Sequence, residues 1–502
     1  MIENLASYQK KPTNIFSSFD IAKIEKQLQS KDEIFWQNLG KKKSWHLFKQ
    51  MAARVPAYKD FLKKNNIKAD SVKKADDLIK LPVTDKKNYI QAYALNERCW
   101  DGKVTEASII AASSGTTGDA NYWPRGDTQE LRAVLIHELI YRNFFKIDKY
   151  KTLCLIGFPM GVYVSGIATL LPTWLISQKN YNLTVVSVGN NKDEFLRLIK
   201  TLASGFEQII MVGHPFFIKD VLETGKSQGL KWSSLWLRMM FCSEGFNEKW
   251  RSYLNSVIGK KSDLTSIIST YGSSEFLLMA QETPMAILYK QYLEGRLSAN
   301  DQKFPSYIFQ YNPALNYIEE VNNEFIFTAD SGLPLIRFNL HDQGKLLSYR
   351  RVSDILDANV TAWSRQAKVA PIWQLPFLNL WGRSDQTVIF YAANIYPEHI
   401  KAGLHSSPLL AKLTGKFNMR KAYLKNMDEF LEINIELRRG VKGNSSLAKK
   451  IQSNIINQLR RTNFEYLFLC DHLDKDLTPR IKLWPCQHEK YFKPGLKPRY
   501  II

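Results

Sequence analysis

From Ser108 onward, short apolar runs rich in β-branched residues recur at the spacing that parallel α/β units require. IIAAS, TLCLIGF, LTVVSVG, EQIIMVG, LRMMFCS and TSIISTYG are each followed by a loop, and mostly by an amphipathic stretch such as Glu194 to Leu202. A strand buried on both faces reads as a near-continuous apolar run, and the crossover to its parallel neighbour takes a helix. The alternation therefore predicts an α/β fold on a largely parallel sheet. After Pro305 the pattern changes, and SYIFQY, NEFIFTAD and PLIRFNL read as the shorter strands of a small β-rich subdomain. From WGRSDQ, read as a loop, the chain alternates strand and helix again (TVIFYA, PEHIKAGL, FNMRKAYLK, FLEINIELR, a helix from Ser446 to Leu459, EYLFLC). That length suits a separate small α+β domain, and the expected division is residues 1–382 and 383–502.

Before this region, up to about Ile110, the chain reads as helical and basic. Ile21 to Leu28, Trp45 to Ala53 and Tyr58 to Lys64 place apolar residues three and four apart, with lysine runs between them on solvated faces. Thr152 to Gln178 carries no charge and is long enough to span a bilayer, but Pro159, Gly161, Gly166 and Pro172 divide it. It reads as a buried strand at Leu153 to Gly157, a loop and a buried helix, so no membrane span is expected. The opening MIENLASYQKKPTNIF has no apolar h-region, which predicts a cytoplasmic protein. Cys99, Cys154, Cys242, Cys470 and Cys486 form no CxxC pair, arguing against a disulfide framework or a structural zinc site. With 45% hydrophobic residues over 502 positions the chain can bury a large core. Its formal charge of +21 favours polyanions or acidic partners without choosing among them.

Four stretches carry residue types suited to a nucleotide. Ser113 to Gly118, SSGTTG, follows an apolar run; hydroxyls and glycines at this density can surround phosphate oxygens with N–H and O–H donors, and a structural turn has the same composition. No Gly-Lys-Ser/Thr follows, so it is not a Walker A loop. In Tyr271 to Glu275, YGSSE, the ring can stack on a base, the hydroxyls can bind phosphate and the carboxylate can hold a nucleotide-borne magnesium ion. A strand-end turn with a surface Glu is the competing reading. In Leu335 to Gly344, LIRFNLHDQG, Asp342 ends a β-like run beside His341; its carboxylate can accept from both ribose hydroxyls, or cap the next segment. Trp381 to Asp385, WGRSD, then ANIYPEHI, suits sugar recognition and an interdomain hinge, and an Arg–Asp surface pair explains it as well.

In this order along the chain, the set resembles the adenylate-forming superfamily of acyl-CoA synthetases and peptide-synthetase adenylation domains, and within it the phenylacetate-CoA ligase-like branch. VPAYKDFLKKNNI with DDLIKLPVTDKKNY is similar to the branch's N-terminal signature, MVGHPFFI and FCSEGFNEKWRSYL to its mid-domain segments, and ANIYPEHI to its hinge motif. The resemblance covers the chain from about Val55 to the C-terminus. It implies a large multi-subdomain N-terminal adenylation domain, residues 1–382, and a small mobile α+β lid, residues 383–502. It also implies that Ser113, Ser114, Gly115, Thr116, Thr117 and Gly118 grip the β- and γ-phosphates of ATP. Ser243, Glu244 and Gly245 would line the adenine with Tyr271 and Gly272. Ser273 and Ser274 would complete the ATP site, Ser274 at the α-phosphate, while Glu275 holds Mg2+. Asp342 and Arg383 would bind the ribose, and Asp385 would be the hinge. A C-terminal lysine, Lys497 ahead of Lys493, would supply the catalytic cation, making Lys497, Glu275 and Thr116 the catalytic candidates. Tyr163, Val164, His214, Phe216 and Phe217 are candidates to line the acyl pocket, against the plainer reading of aromatic core.

The chemistry so implied starts from a carboxylate, a poor acylating agent until attack on the α-phosphorus of ATP makes an acyl-adenylate and pyrophosphate. Catalysis then consists of in-line positioning and neutralisation of charge on phosphorus. Four departures from the family pattern bear on this chemistry and on transfer to a thiol. Asp119 follows SSGTTG where a lysine is common, and Ala392 replaces the usual glycine beside the thiol tunnel. Leu496 directly follows Gly495 in the final EKYFKPGLKPRYII, and the pocket stretch reads FPMGVYVSG. The first expectation is an AMP-forming ligase that activates a small carboxylic acid, aromatic acids included, for CoA or another thiol such as that of an acidic carrier protein. The second sends the acyl group to an amine or hydroxyl, as in capsule, polysaccharide or natural-product pathways. The third is a non-catalytic nucleotide- or nucleic-acid-binding protein, disfavoured because the basic residues form no aromatic-interleaved stripe.

Overall fold

Aspartates that end one segment and open the next shape the N-terminal helices. Asp20 accepts from the Lys23 N–H to start α1 (Ile21–Ser30), and Asp32 accepts from the Phe35 N–H to start α2 (Glu33–Arg54). α3 (Pro56–Lys64) begins on a proline, whose fixed φ suits a first turn. α2 starts well before the Trp45 that the apolar spacing marks, because the Asp32 cap extends it across the solvated lysines. The computed structural model describes residues 19–107, 109–113, 121–259, 263–296, 307–359, 372–384, 387–404, 409, 412–492 and 500–501. They divide into one unit of Met1–Ala112 with Tyr122–Gly382 and another of Ser113–Asn121 with Arg383–Ile502.

Three short strands precede the main sheet: β1 (Thr84–Asp85) and the pair β2 (Ile109–Ser113) and β3 (Asn121–Arg125). The expected parallel strands are β4 (Thr152–Gly157), β5 (Leu183–Ser187), β6 (Gln208–Gly213), β7 (Leu237–Phe241) and β8 (Ile267–Ser273), in spatial order β5-β4-β6-β7-β8. β4, β6 and β7 are buried at every position, which is why they read as apolar runs, with Gln208 and Arg238 the buried polar exceptions in β6 and β7. Their faces are covered by α4 (Asp127–Asn143), α5 (Val164–Ser177), α6 (Lys192–Leu202), α7 (Pro215–Ser227) and α8 (Glu248–Val257). β4, a turn and α5 make up the uncharged Thr152–Gln178 stretch, and no helix among the described residues is long and apolar enough to cross a membrane.

At β8 the direction of the sheet reverses. β9 (Leu277–Gln281) returns antiparallel to β8, and α9 (Pro284–Glu294) follows. β10 (Tyr307–Gln310), β11 (Tyr317–Val321), β12 (Glu324–Ala329), β13 (Leu335–Leu347) and, after α10 (Tyr349–Asn359), β14 (Phe377–Arg383) extend the sheet to twelve strands. The shorter strands after Pro305 thus form an antiparallel half with a phenylalanine-rich core of Phe276, Phe309, Phe325, Phe327 and Phe338. The parallel half has its own, built from Ile156, Ile210, Val212, Met240 and Ile268 with Leu135 and Ile140 of α4. Two readings shift. Asp342 lies inside β13 rather than at its end, since pairing with β12 continues to Gln343. The WGR of the expected loop is the end of β14, whose pairing with β10 runs to Leu380.

In the second unit, β15 (Val388–Phe390) and β16 (Ala393–Ile395) form a hairpin, followed by α11 (Pro397–Leu404). β17 (Leu413–Tyr423), β18 (Glu429–Leu437) and β19 (Arg480–Trp484) make a three-stranded sheet, with α12 (Ser445–Thr462) between β18 and β19. EYLFLC is helical, within α13 (Phe464–His472), because Asn463 accepts from the Tyr466 N–H and caps it.

Candidate active site

Ligands of open α/β sheets bind beyond the carboxyl ends of the strands, and the loops leaving β4, β6, β7 and β8 hold most of the candidate residues. β7 and β8 are tied at this edge by Thr270, whose hydroxyl donates to the Phe241 carbonyl at 2.8 Å. Beyond Thr270 the β8–β9 turn is tight, with a register shift at Tyr271/Gly272. A Cβ on Gly272 would fall 2.6 Å from the Leu277 carbonyl oxygen, so only glycine permits the approach. The turn carries Ser273, Ser274 and Glu275. Instead of a surface Glu, Glu275 is buried at 4% exposure, with its backbone carbonyl accepting from Gln129 Nε2 at 3.3 Å.

Two distant segments meet this turn. The Tyr271 ring stacks on Phe309, centroids 5.7 Å apart, and its hydroxyl donates to Asp342 Oδ2 of β13. Asp342 is itself 7% exposed. The second arrival comes from the N-terminal region: β1 pairs in parallel with β13, Asp85 opposite Asn339, which delivers the next residue, Lys86, to the turn. Its Nζ stands 3.2 Å from Glu275 Oε1. His341, at φ +65°, points its ring nitrogens toward Asp85 at 3.9 Å and Glu324 at 3.8 Å. YGSSE, the HDQG strand and the DKKNY segment therefore share one surface. Lys86 is the residue that sequence reasoning missed. Its signal is the Asp85–Asn88 capping box directly after the β-prone PVT, which fixes where Lys86 emerges.

The loop after β7 is held from below. Lys290 of α9 donates from Nζ to the Phe246 carbonyl at 2.6 Å, inside a buried charge cluster with Glu248, Arg251 and Glu282. Arg251 and Lys290 hold the Glu248 carboxyl below its usual range despite its burial. Ser243 adopts φ +75°, Glu244 is buried, and the space a Gly245 Cβ would need is filled by the Tyr307 ring at 2.5 Å. Ser243 to Gly245 thus lie beside β8 and β10 on the edge that Tyr271 occupies.

The connection from β4 leads to β5 on one side and that from β6 leads to β7 on the other, so the loops of these adjacent strands diverge and leave a crevice. Tyr163 and His214 leave these strands at that point. The His214 ring stacks on Phe216 at 5.4 Å and meets the edge of Phe158 at 4.9 Å. Burial pushes His214 down to about 4, so it is neutral at pH 7, and its Nδ1 has no hydrogen-bond partner among the described residues. Phe217 turns into the core against Phe195. The Ala112 N–H donates to the Val162 carbonyl at 2.9 Å, joining β2 to the same loop.

The magnesium reading can be tested on the donor set. No group of three or more His, Cys, Asp and Glu residues among the described ones could hold a metal ion. A buried single carboxylate is what a nucleotide-borne Mg2+ takes from a protein, and Glu275 fits that role, with Oε1 ion-paired to Lys86 but accepting no hydrogen bond among the described residues. Ser113 and Arg383 belong to the second unit, as the last residues of β2 and β14. Ser114, Gly115, Thr116, Thr117, Gly118, Asp119, Asp385, Lys493 and Lys497 lie outside the described residues.

No protein-family model matches the sequence, and no curated protein does. Among solved structures, a 2-hydroxyisobutyryl-CoA ligase in complex with 2-HIB-AMP and CoA, in the thioesterification state, aligns over 99% of this chain and 94% of its own with a TM-score of 0.62 at 13% identity. An open conformation of that ligase with the same ligands aligns over 99% and 96%, TM-score 0.52, at 13% identity. The chain has the adenylate-forming fold. In that fold, the edge where Tyr271, Glu275, Asp342 and Lys86 meet lies on the larger unit, at the carboxyl ends of the parallel strands. At 13% identity the likeness extends to the path of the backbone and leaves the side chains to be argued from their own geometry.

Proposed function

We propose that this protein is an AMP-forming carboxylate ligase that activates a small carboxylic acid with ATP and transfers the acyl group to CoA. One observation carries the reading. The Tyr271 hydroxyl bound to Asp342, beside the Lys86–Glu275 pair, brings a ring, a ribose-type acceptor, a metal-type carboxylate and a cation together at the ligand edge of an adenylate-forming fold.

Each residue then has a task its environment suits. Asp342 accepts from the ribose hydroxyls; a carboxylate has about four lone-pair sites, and the Tyr271 hydroxyl uses one while fixing its orientation. The stretch Ser243 to Gly245 lines the adenine, packed to a fixed depth by Tyr307 and anchored through Lys290. Glu275 would hold Mg2+, which when bound neutralises phosphate charge and draws electrons from the α-phosphorus. Lys86, paired with Glu275, would add positive charge for the phosphates, where the sequence carries Asp119 in place of the family's lysine. We assign residues 383–502 the part of the lid, with Asp385 at its hinge and Lys497 as the cation for the developing charge. The acid's carboxylate oxygen attacks the α-phosphorus and pyrophosphate leaves. The CoA sulfur then attacks the acyl carbon, AMP leaves, and the thiol proton passes to solvent. Neutral His214, stacked on Phe216, and Tyr163 from the neighbouring loop are assigned to the acid's pocket; the carboxylate needs no base near neutral pH.

A second reading, with an amine or hydroxyl acceptor, is favoured by one feature. Ala392 holds φ +65° in the β15–β16 turn, carrying a methyl where left-handed backbone suits glycine and where the thiol path of the resembled family lies. Pyrophosphate release with and without CoA, followed by product analysis with amine and hydroxyl acceptors, separates the two readings.

A further inference from the structure

Three residues before Asp342, Asn339 stands where three strands are registered against one another. Its main chain pairs with Ile326 of β12 on one side and with Asp85 of β1 on the other. Between the pairs Ile326–Asn339 and Glu324–Gln343, β12 contributes one residue, Phe325, whereas β13 contributes three, Leu340, His341 and Asp342. The excess is a bulge, and its middle residue, His341, takes φ +65°, a conformation that strains a side-chain-bearing residue. Bulges re-aim the side chains they carry. Here the last of them is Asp342, which meets the Tyr271 hydroxyl.

Such a distortion persists only where its surroundings hold it. Asn339 is 6% exposed and commits both ends of its amide to the bulge: Oδ1 accepts from the His341 N–H at 2.6 Å, and Nδ2 donates to Glu324 Oε2 at 2.6 Å. Glu324 Oε1 in turn lies 3.8 Å from His341 Nδ1, which closes a ring of Asn339, His341 and Glu324 across the two strands. The amide's orientation is dictated by its partners, since the oxygen faces a donor and the nitrogen a carboxylate. Leucine at this position would fill the same volume and make neither bond. Aspartate would keep the bond to His341 and set a second carboxylate against Glu324.

We propose that Asn339 is a positioning residue of the adenylate-forming reaction, acting through Asp342: it holds the bulge that presents the Asp342 carboxylate to the ribose hydroxyls. The inference rests on the reading of Asp342 as the ribose acceptor. Asn339 governs recognition of the two hydroxyls and leaves the rest of the nucleotide site alone, because Ser243 to Gly245 follow β7 and Glu275 sits in the β8–β9 turn.

The test compares AMP with 2′,3′-dideoxy-AMP on the full chain by calorimetry, so that the ratio of the two Kd values isolates what the ribose hydroxyls contribute. Wild type is expected to bind AMP at least about tenfold more tightly than the dideoxy analogue, as befits hydroxyls bonded to a carboxylate. In Asn339→Leu and Asn339→Asp that ratio should fall below about threefold, while the dideoxy analogue keeps its wild-type affinity within about twofold. Adding Glu324→Gln to Asn339→Asp returns a donor to the pair, from the glutamine amide to the aspartate, and should restore the ratio. A general loosening of the fold would not be reversed by that exchange. Should Asn339→Leu fail to fold, the aspartate variant and its rescue decide. A wild-type ratio retained in the Asn339 variants, or a deficit that Glu324→Gln leaves in place, overturns the role of Asn339 with the ribose reading intact. A wild-type ratio near one, or no binding of AMP, removes the ribose reading and this inference with it.

Discussion

Removing Lys86 tests the candidate site at its least expected member. At 3.2 Å from Glu275 Oε1, two unit charges attract by about 5 kcal/mol at an effective dielectric of about 20. Desolvation of Glu275 at 4% exposure and the partial exposure of Lys86 offset much of this, leaving a coupling of about 1–3 kcal/mol. Lys86→Met strands a buried carboxylate, so it should lower unfolding free energy by about 2 kcal/mol in the unliganded protein, whereas in a Glu275→Gln background the same change should cost well under 1 kcal/mol. Denaturant unfolding of the four proteins closes the cycle. Carboxylate-dependent ATP–pyrophosphate exchange should fall about 10²-fold in Lys86→Met, as expected for loss of a charge that stabilises the phosphates in the transition state. Mg-ATP should restore more stability to Lys86→Met than to wild type, because the incoming metal replaces the lost partner. Additivity within about 0.3 kcal/mol, with exchange unchanged, would refute both the pairing and its role.

Further outcomes follow from other contacts. Glu282→Ala removes one of the two carboxylates that pair with Arg251 and Lys290, leaving Glu248 alone against two cations, and should cost about 3 kcal/mol of stability, measured by urea unfolding. Ala392→Gly removes a left-handed non-glycine residue, should raise stability by about 1 kcal/mol, and should speed CoA thioester formation more than adenylation. Lys497→Ala should slow adenylation by about 10²-fold or more and Lys493→Ala far less, in single-turnover assays; the reverse order reassigns the lysine. Folding pushes His214 down from 6.5 to about 4, so its stabilising contribution is complete above about pH 6.5 and is lost as pH falls toward 4. His214→Gln should flatten the acid limb of a stability–pH profile between those values and leave the neutral region unchanged in slope.

The parallel strands were readable because burial on both faces forces unbroken apolar runs, as at Ile209 to Val212, whereas the early start of α2 was not, because it is set by the Asp32 cap and not by apolar spacing. EYLFLC looks like its neighbours in composition, and what makes it helical is one side chain, Asn463, bonded to the Tyr466 N–H. Tyr271 and Asp342 could be singled out by residue type, but the bond between them depends on how far β13 runs, and that is set by pairing with β12. Lys86 was hidden for a related reason. A two-residue strand carries almost no periodic signal, yet its pairing with β13 across more than two hundred residues places the ammonium. Long-range pairing is the information that periodicity lacks.

The most direct measurement is ATP–pyrophosphate exchange across a panel of small carboxylic acids, in wild type, Glu275→Gln and Asp342→Asn. Exchange that depends on one class of acid, abolished in Glu275→Gln and reduced through a raised KM for ATP in Asp342→Asn, is the result expected of an adenylate-forming enzyme with this site. Exchange of wild-type magnitude in both variants, both folded, would contradict it.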